Sequence, residues 1–219
     1  MRAYVFWHQP RPGSDLRNYE LAVRDFHEAL RRASDSVEGF MESHAHRLDG
    51  APWLPAGVAY EDWYLIASSA ALDPLDRAAI SVRARPAHDR VAAMAGGCAG
   101  GLYRLLRSPA GGDAVPGAPA ADDREPPGPD ADAAAPAPRD VAPRAASTCI
   151  WLRKPDGWSY DAFHADLDRL RPALSTVWQR QMVLGPAPEY AVVVPGHEPP
   201  PPFPENWNPI VIRRVRVDG

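Results

Sequence analysis

Residues 4–10, YVFWHQP, followed by NYELAVRDFHEAL, are echoed after residue 148 by CIWLRKP followed by SYDAFHADLDRL. Within the echo Pro10 answers to Pro155, Tyr19 to Tyr160, Glu20 to Asp161 and His8 to Arg153. A repeated strand–helix unit constrains a chain more than any single residue does, because the fold must then contain two copies of one supersecondary unit. A site is expected where the copies face each other and where their paired positions differ chemically.

Between the copies, residues 108–147 hold no aromatic side chain and almost no large aliphatic one. Such a segment cannot bury enough apolar surface to offset the entropy of ordering it, and it reads as a semi-flexible tether. The chain thus divides into a first unit over 1–107, a disordered linker over 108–147 and a second unit over 148–219. In the first unit, alternation predicts a strand over 3–8, and Asp15 caps a helix whose apolar face holds Leu21, Phe26, Ala29 and Leu30. Strands follow over 39–48 and 60–67, then helix over 72–94 with a break near Arg85-Pro86, then a strand over 100–106. The second unit gives strand 149–153, helix 160–174, and strands 177–183, 189–194 and 210–217. Its second helix is replaced by GHEPPPPFPENWNP, whose prolines exclude a helix.

The order strand–helix–strand–strand–helix–strand is the split βαβ arrangement of ferredoxin-like units. The expected class is therefore α+β: tandem ferredoxin-like repeats forming an intrachain α/β barrel, the second repeat degenerate. This order, the internal repeat, the aromatic first strand and the Trp63-Tyr64-Leu65 run resemble the dimeric α/β-barrel superfamily, EthD-like and NIPSNAP-like members in style. That resemblance implies a range of activities: cofactor-free monooxygenases, small isomerases and decarboxylase-like proteins, haem enzymes and regulatory ligand-binding modules. It does not choose among them.

Tyr4, Phe6 and His8 share one face of the first strand, and Phe40, Glu42, His44 and His46 one face of the second. The faces bearing histidine are expected toward the barrel interior, with Val5 and Trp7 toward the helices. Topology brings His8, His46, Glu61 and Asp62 to one end of the sheet, beneath the 49–59 loop and Trp53. Imidazoles beside carboxylates suit acid–base chemistry near neutral pH. The expected catalytic set is His8 with Asp62 and Glu61; the alternative is a set of hydrogen-bonded, inert polar residues. Arg153 and Arg180, with Trp151 and Trp178 on the same faces, suit an anionic or aromatic ligand. His44, His46 and Tyr64 complete the expected binding set. Arg213, Arg214 and Arg216 on the last strand read equally well as cross-strand partners of acidic residues. His44-Ala45-His46 has the spacing of a metal-binding pair without a third ligand at fixed distance, so no metal site is assigned. Cys149 reads as a buried small hydrophobe, and the glycines around Cys98 as the end of a helix. His27 and His164 read as solvent-facing or packing residues, and His197 as part of a lid over the barrel mouth.

The net charge of −4 lacks the basic footprint of a nucleic-acid binder. No run of about 18 apolar residues marks a membrane helix, and the amino-terminal segment is too short for a signal peptide. The two cysteines do not make a disulfide framework. A cytoplasmic monomer or homodimer is expected. Its leading reading is a small-molecule enzyme of the isomerase, dehydratase or cofactor-free oxygenase type, working without a tightly bound organic cofactor. A non-catalytic ligand-binding or interaction protein is the alternative, and a haem-binding protein the third.

Overall fold

The computed structural model describes residues 1–35, 37–109, 146–196 and 202–217. The expected linker falls mostly outside these residues, as does His197. The first half runs β1 (Arg2–Pro10), α1 (Leu16–Ser34), β2 (Phe40–Leu48), β3 (Ala59–Ile66), α2 (Leu72–Ala79), α3 (Arg85–Met94) and β4 (Ala95–Arg107). The second runs β5 (Ala146–Leu152), α4 (Tyr160–Leu170), β6 (Thr176–Leu184), β7 (Tyr190–Pro195) and β8 (Ile210–Arg216). The eight strands close into one barrel in the order β1-β3-β2-β8-β5-β7-β6-β4. Read from β4, the first half gives β4-β1-β3-β2; read from β8, the second gives β8-β5-β7-β6. The same spatial order thus occurs twice, joined by the antiparallel seams β2–β8 and β4–β6.

Local chemistry sets the element ends. Asp15 accepts from the Asn18 amide at 2.7 Å and Ser159 from the Ala162 amide at 3.1 Å, so each half's first helix has a side-chain cap. Helix α4 stops at Leu170 rather than at the expected 174, because Pro172 drives Arg171 into extended backbone. The glycines 96, 97, 100 and 101 lie within β4 rather than ending a helix. They make room for rings on both faces: a Cβ on Gly100 would meet the Tyr4 ring system, and one on Gly101 the Tyr103 ring.

The alternation along β1 is as expected, but its sense is reversed. Trp7 touches Trp151 with ring centroids 5.3 Å apart, and Trp63 touches Trp178 at the same separation. These pairs join strands that are not neighbours in the sheet, so all four indoles point into the barrel. Tyr19 and Phe26 of α1 instead pack on the other face, against His8, Tyr60 and Tyr64. Val5 and Trp7 therefore face the interior, and Tyr4, Phe6 and His8 face the helices. A closed barrel of this width is filled by bulky rings, whereas a wall under a helix can hold polar groups that satisfy one another. His44 and His46 do point inward: in the ladder they stand opposite Trp63 and Glu61.

The register also corrects the pairing of the halves. Trp7 stands opposite Glu61 and His8 opposite Tyr60, while Trp151 stands opposite Ala191 and Leu152 opposite Tyr190. The structural counterpart of His8 is therefore Leu152 rather than Arg153. Counted from the two helix caps, the counterpart of Tyr19 is Phe163 rather than Tyr160.

Candidate functional site

One end of the barrel is solid. Trp7, Trp53, Trp151 and Tyr103 meet there edge to face, with centroids between 5.2 and 6.3 Å apart. Beside this plug lies Glu61, fully buried, yet with both carboxylate oxygens occupied. Oε2 accepts from the Trp7 indole at 2.8 Å; Oε1 accepts from the Trp63 indole at 2.6 Å and from Arg214 Nη1 at 2.7 Å. Arg214 also donates to Ser147 Oγ through Nε and Nη2, and its guanidinium lies 5.4 Å from the Trp63 ring centroid. The charge pair joins β3 of the first half to β8 of the second, so neither half can complete it alone.

Away from the plug, a cavity of about 20 Å³ opens between His44, Trp63, Thr176, Trp178 and Arg214, enough for roughly one water. Trp178 donates to Thr176 Oγ1 at 2.9 Å, which fixes its ring against the cavity. His44 and His46 are 1% and 0% exposed. Burial holds both imidazoles well below the usual histidine range, and the guanidinium groups of Arg214 and Arg216 push them the same way. Both are neutral at pH 7. Among the described residues, His44 Nδ1 and both ring nitrogens of His46 lack a hydrogen-bond partner. Glu42 Oε1 stands 3.9 Å from His44 Nδ1, too far for such a bond.

A second polar cluster occupies the outer wall beneath α1. Asp62 Oδ1 lies 3.2 Å from His8 Nε2 and 3.3 Å from His27 Nε2, and Asp62 Oδ2 accepts from the Tyr64 hydroxyl at 3.0 Å. His8 Nδ1 is 2.5 Å from Tyr19 Oη. Burial alone would raise the Asp62 pKa, but the neighbouring imidazoles of His8 and His27 outweigh it and hold the carboxyl far below its ordinary range. Burial, with Asp62 and Tyr60 nearby, keeps the Tyr19 hydroxyl protonated.

The expected residues are thus distributed over three places. His44, His46 and Trp151 line the interior, with Glu61 locked into the ion pair. His8, Asp62 and Tyr64 are together, but outside the wall. Glu61 and Asp62, adjacent in β3, face opposite sides of it. Arg180 Nη1 donates to the Ala187 carbonyl at 2.5 Å beside the plug, and Arg153 is exposed at that end with its guanidinium 3.5 Å from the Pro186 carbonyl. Arg213 is exposed and Arg216 lies 3.4 Å from Glu42. Sequence reasoning passed over His27. Its signal was the spacing from the cap at Asp15, which stacks Tyr19, Val23 and His27 on one helix face. Among the described residues no three His, Cys, Asp or Glu groups are placed to hold a metal ion. No described helix is long and apolar enough to cross a membrane.

The architecture is a closed eight-stranded α+β barrel whose two halves share one chain. No family model and no curated protein matches the chain by sequence. Two solved structures share its fold. A candidate monooxygenase from Lactobacillus acidophilus NCFM superposes with a TM-score of 0.52 at 10% identity, covering 99% of this chain and 94% of that one. An anthrone oxidase-like protein superposes with a TM-score of 0.50 at 9% identity, covering 98% and 90%. At such identities the likeness is one of fold.

Proposed function

We propose that this chain is a small-molecule enzyme whose reaction proceeds by proton transfer in the barrel interior, without a tightly bound organic cofactor. One observation carries the reading: His44, neutral and with Nδ1 unpartnered among the described residues, shares a cavity with a guanidinium held by Glu61 and Ser147, between the Trp63 and Trp178 rings. The imidazole of His44 is held in the proton-accepting form, though burial and the guanidiniums make it a weak base, and a fixed cation stabilises the anion left behind. In this reading His44 takes a proton from an acidic C–H or O–H of the substrate, and Arg214 faces the resulting enolate or oxyanion. Trp63 and Trp178 suit a planar, anionic or aromatic molecule. Isomerisation, dehydration and cofactor-free oxygenation can each begin with such a proton abstraction. The names of the two proteins with this fold favour oxygenation among them. His8 and Asp62 lie behind the wall and Arg153 lies at the plugged end, so none of the three touches substrate in this reading. We also read the halves as duplicated ferredoxin-like units, 1–107 and 148–219, joined by 108–147; the twice-repeated strand order supports this.

The small volume of the cavity supports the second reading, a non-catalytic binding or interaction protein, since a substrate must push the lining side chains apart to enter. Deuterium exchange into a panel of enolisable and phenolic aromatic compounds, followed by NMR, separates the two. The enzyme reading expects exchange with wild type that disappears in His44→Ala while the circular dichroism spectrum is retained. No protein-dependent exchange across the panel, and no change in tryptophan fluorescence, favours the second reading.

A further inference from the structure

The ionised groups in and beside the interior cavity form two pairs, each neutralised within the protein. Glu61 and Arg214, both fully buried, meet at 2.7 Å, and Glu42 lies 3.4 Å from Arg216 nearer solvent. His44 and His46, held below the ordinary histidine range by burial, add no charge at pH 7. Arg153 and Arg180 lie at the plugged end, directed at the carbonyls of Pro186 and Ala187. Asp62 is turned to the other side of the wall, beside His8 and His27. The cavity itself therefore carries no net charge.

Hydrogen-bonding capacity nevertheless remains there. The described contacts of Arg214 use one N–H each on Nε, Nη1 and Nη2, for Ser147 and Glu61. Two of the guanidinium's five N–H groups are left for another acceptor. His44 Nδ1 has no partner among the described residues and, according to tautomer, can donate or accept. The rest of the lining is Leu65, Val193, Thr176 and the Trp63 and Trp178 rings, which offer no counter-ion. A carboxylate entering here would lose its water and share one guanidinium with Glu61. The two anions would then repel each other at close range in a site of low dielectric. An uncharged carbonyl or hydroxyl accepts from the same N–H groups without that repulsion.

We propose that Glu61 makes the interior selective for uncharged aromatic compounds bearing a carbonyl or hydroxyl group, and excludes carboxylates. The proposal rests on the interior being a small-molecule site, and it narrows the class of ligand. Glu61 acts on specificity in two ways: it fixes Arg214 as a hydrogen-bond donor and cancels its charge toward a wrong ligand. The consequence for proton transfer is direct. A substrate enters neutral, and negative charge develops opposite the Arg214 N–H groups only as the proton leaves, so their stabilisation falls on the transition state rather than on the bound ground state.

Benzamide and benzoate have nearly the same shape and differ by one charge at pH 7, so saturation-transfer NMR on the intact chain tests the exclusion. Wild type is expected to bind benzamide at least about tenfold more tightly than benzoate. Val193→Phe, which fills the cavity, is expected to abolish benzamide binding while the circular dichroism spectrum is retained. Glu61→Gln, which leaves the Arg214 charge uncancelled, is expected to move the preference toward benzoate by about tenfold or more. The wild-type comparison decides the matter without any variant. Equal or tighter binding of benzoate by wild type overturns the exclusion and leaves the interior a ligand site. Benzamide binding that survives Val193→Phe places the ligand elsewhere and overturns the proposal. If wild type binds neither compound, the exclusion falls together with the reading of the interior as a small-molecule site. Selective binding of benzamide without proton exchange in any enolisable compound upholds the exclusion and ends the enzyme reading alone.

Discussion

The walls behind α1 and α4 are built on one ladder register and covered by helices capped at equivalent positions, yet they are sealed by opposite chemistry. Behind α4 the contact is Leu152, Val192, Phe163 and Tyr190; behind α1 it is His8, Asp62, Tyr19, His27 and Tyr60. The hydrocarbon version is sufficient for the fold. The polar version crowds three ionisable groups together: the Tyr19 and Tyr64 hydroxyls reach His8 and Asp62, while His8 Nε2, both ring nitrogens of His27 and Asp62 Oδ1 have no hydrogen-bond partner among the described residues. Inside the barrel the halves differ in the same direction. The first contributes the carboxylate of Glu61 and both histidines, and the second the guanidinium of Arg214. Titratable chemistry is concentrated in the first half, and the second supplies its fixed counter-charge and tryptophan walls.

The seam between the halves is the place to break this arrangement most severely. Arg214→Met or Glu61→Gln should cost about 3–5 kcal/mol in urea denaturation, because each strands a buried polar partner. Glu61→Leu combined with Arg214→Met should recover much of that loss, since a matched apolar pair removes both charges. A double-mutant cycle on these two sites measures the coupling directly. Equal and additive single losses would mean that the pair does not hold the seam.

Two of the inward indoles, Trp7 and Trp151, sharpen the comparison. Trp7→Ala and Trp151→Ala should each cost about 3–5 kcal/mol, as expected for emptying an aromatic site in the core. Trp7→Phe should exceed Trp151→Phe by about 1 kcal/mol, because only Trp7 donates to the buried Glu61; Trp151 Nε1 has no partner among the described residues. Thermal unfolding of the four variants side by side reads the difference.

The interior histidines predict a pH effect on stability. Their folded-state values lie below the ordinary range near 6.5, so the unfolded chain binds protons that the folded one does not. Stability from this source is complete above about pH 6.5 and falls with acidification, by up to about 1.4 kcal/mol per pH unit for each histidine. Urea midpoints at a series of pH values should therefore drop in acid, and His44→Phe should flatten part of that slope. The smallest expected effect is at the helix caps: Asp15→Ala and Ser159→Ala should each cost about 1 kcal/mol.

Much of this was legible in the order of residues. The strand–helix repeat and the element order led to a closed barrel with both halves in one chain. The proximity of His8 to Asp62 followed from topology, and the inward direction of His44 and His46 from alternation. What alternation could not supply was the sense of β1, whose two faces both carry aromatic rings: Tyr4 and Phe6 on one, Trp7 on the other. Hydrophobicity alone does not say which of two such faces fills a barrel. His27 went unrecognised because a histidine on a helix face looks the same in sequence whether it meets solvent or a carboxylate on another element. The matching of His8 with Arg153 failed for a related reason, since similarity of letters around Pro10 and Pro155 outweighed the ladder register.

By itself the sequence determined the kind and order of elements and the inventory of titratable side chains. These depend on local periodicity, caps and breakers, which act over a few residues. Only the tertiary structure decided which of those side chains share a compartment. Adjacent residues such as Glu61 and Asp62 are sent to opposite sides of one wall, while Glu61 and Arg214, far apart in the chain, meet across a seam that exists only once the barrel has closed.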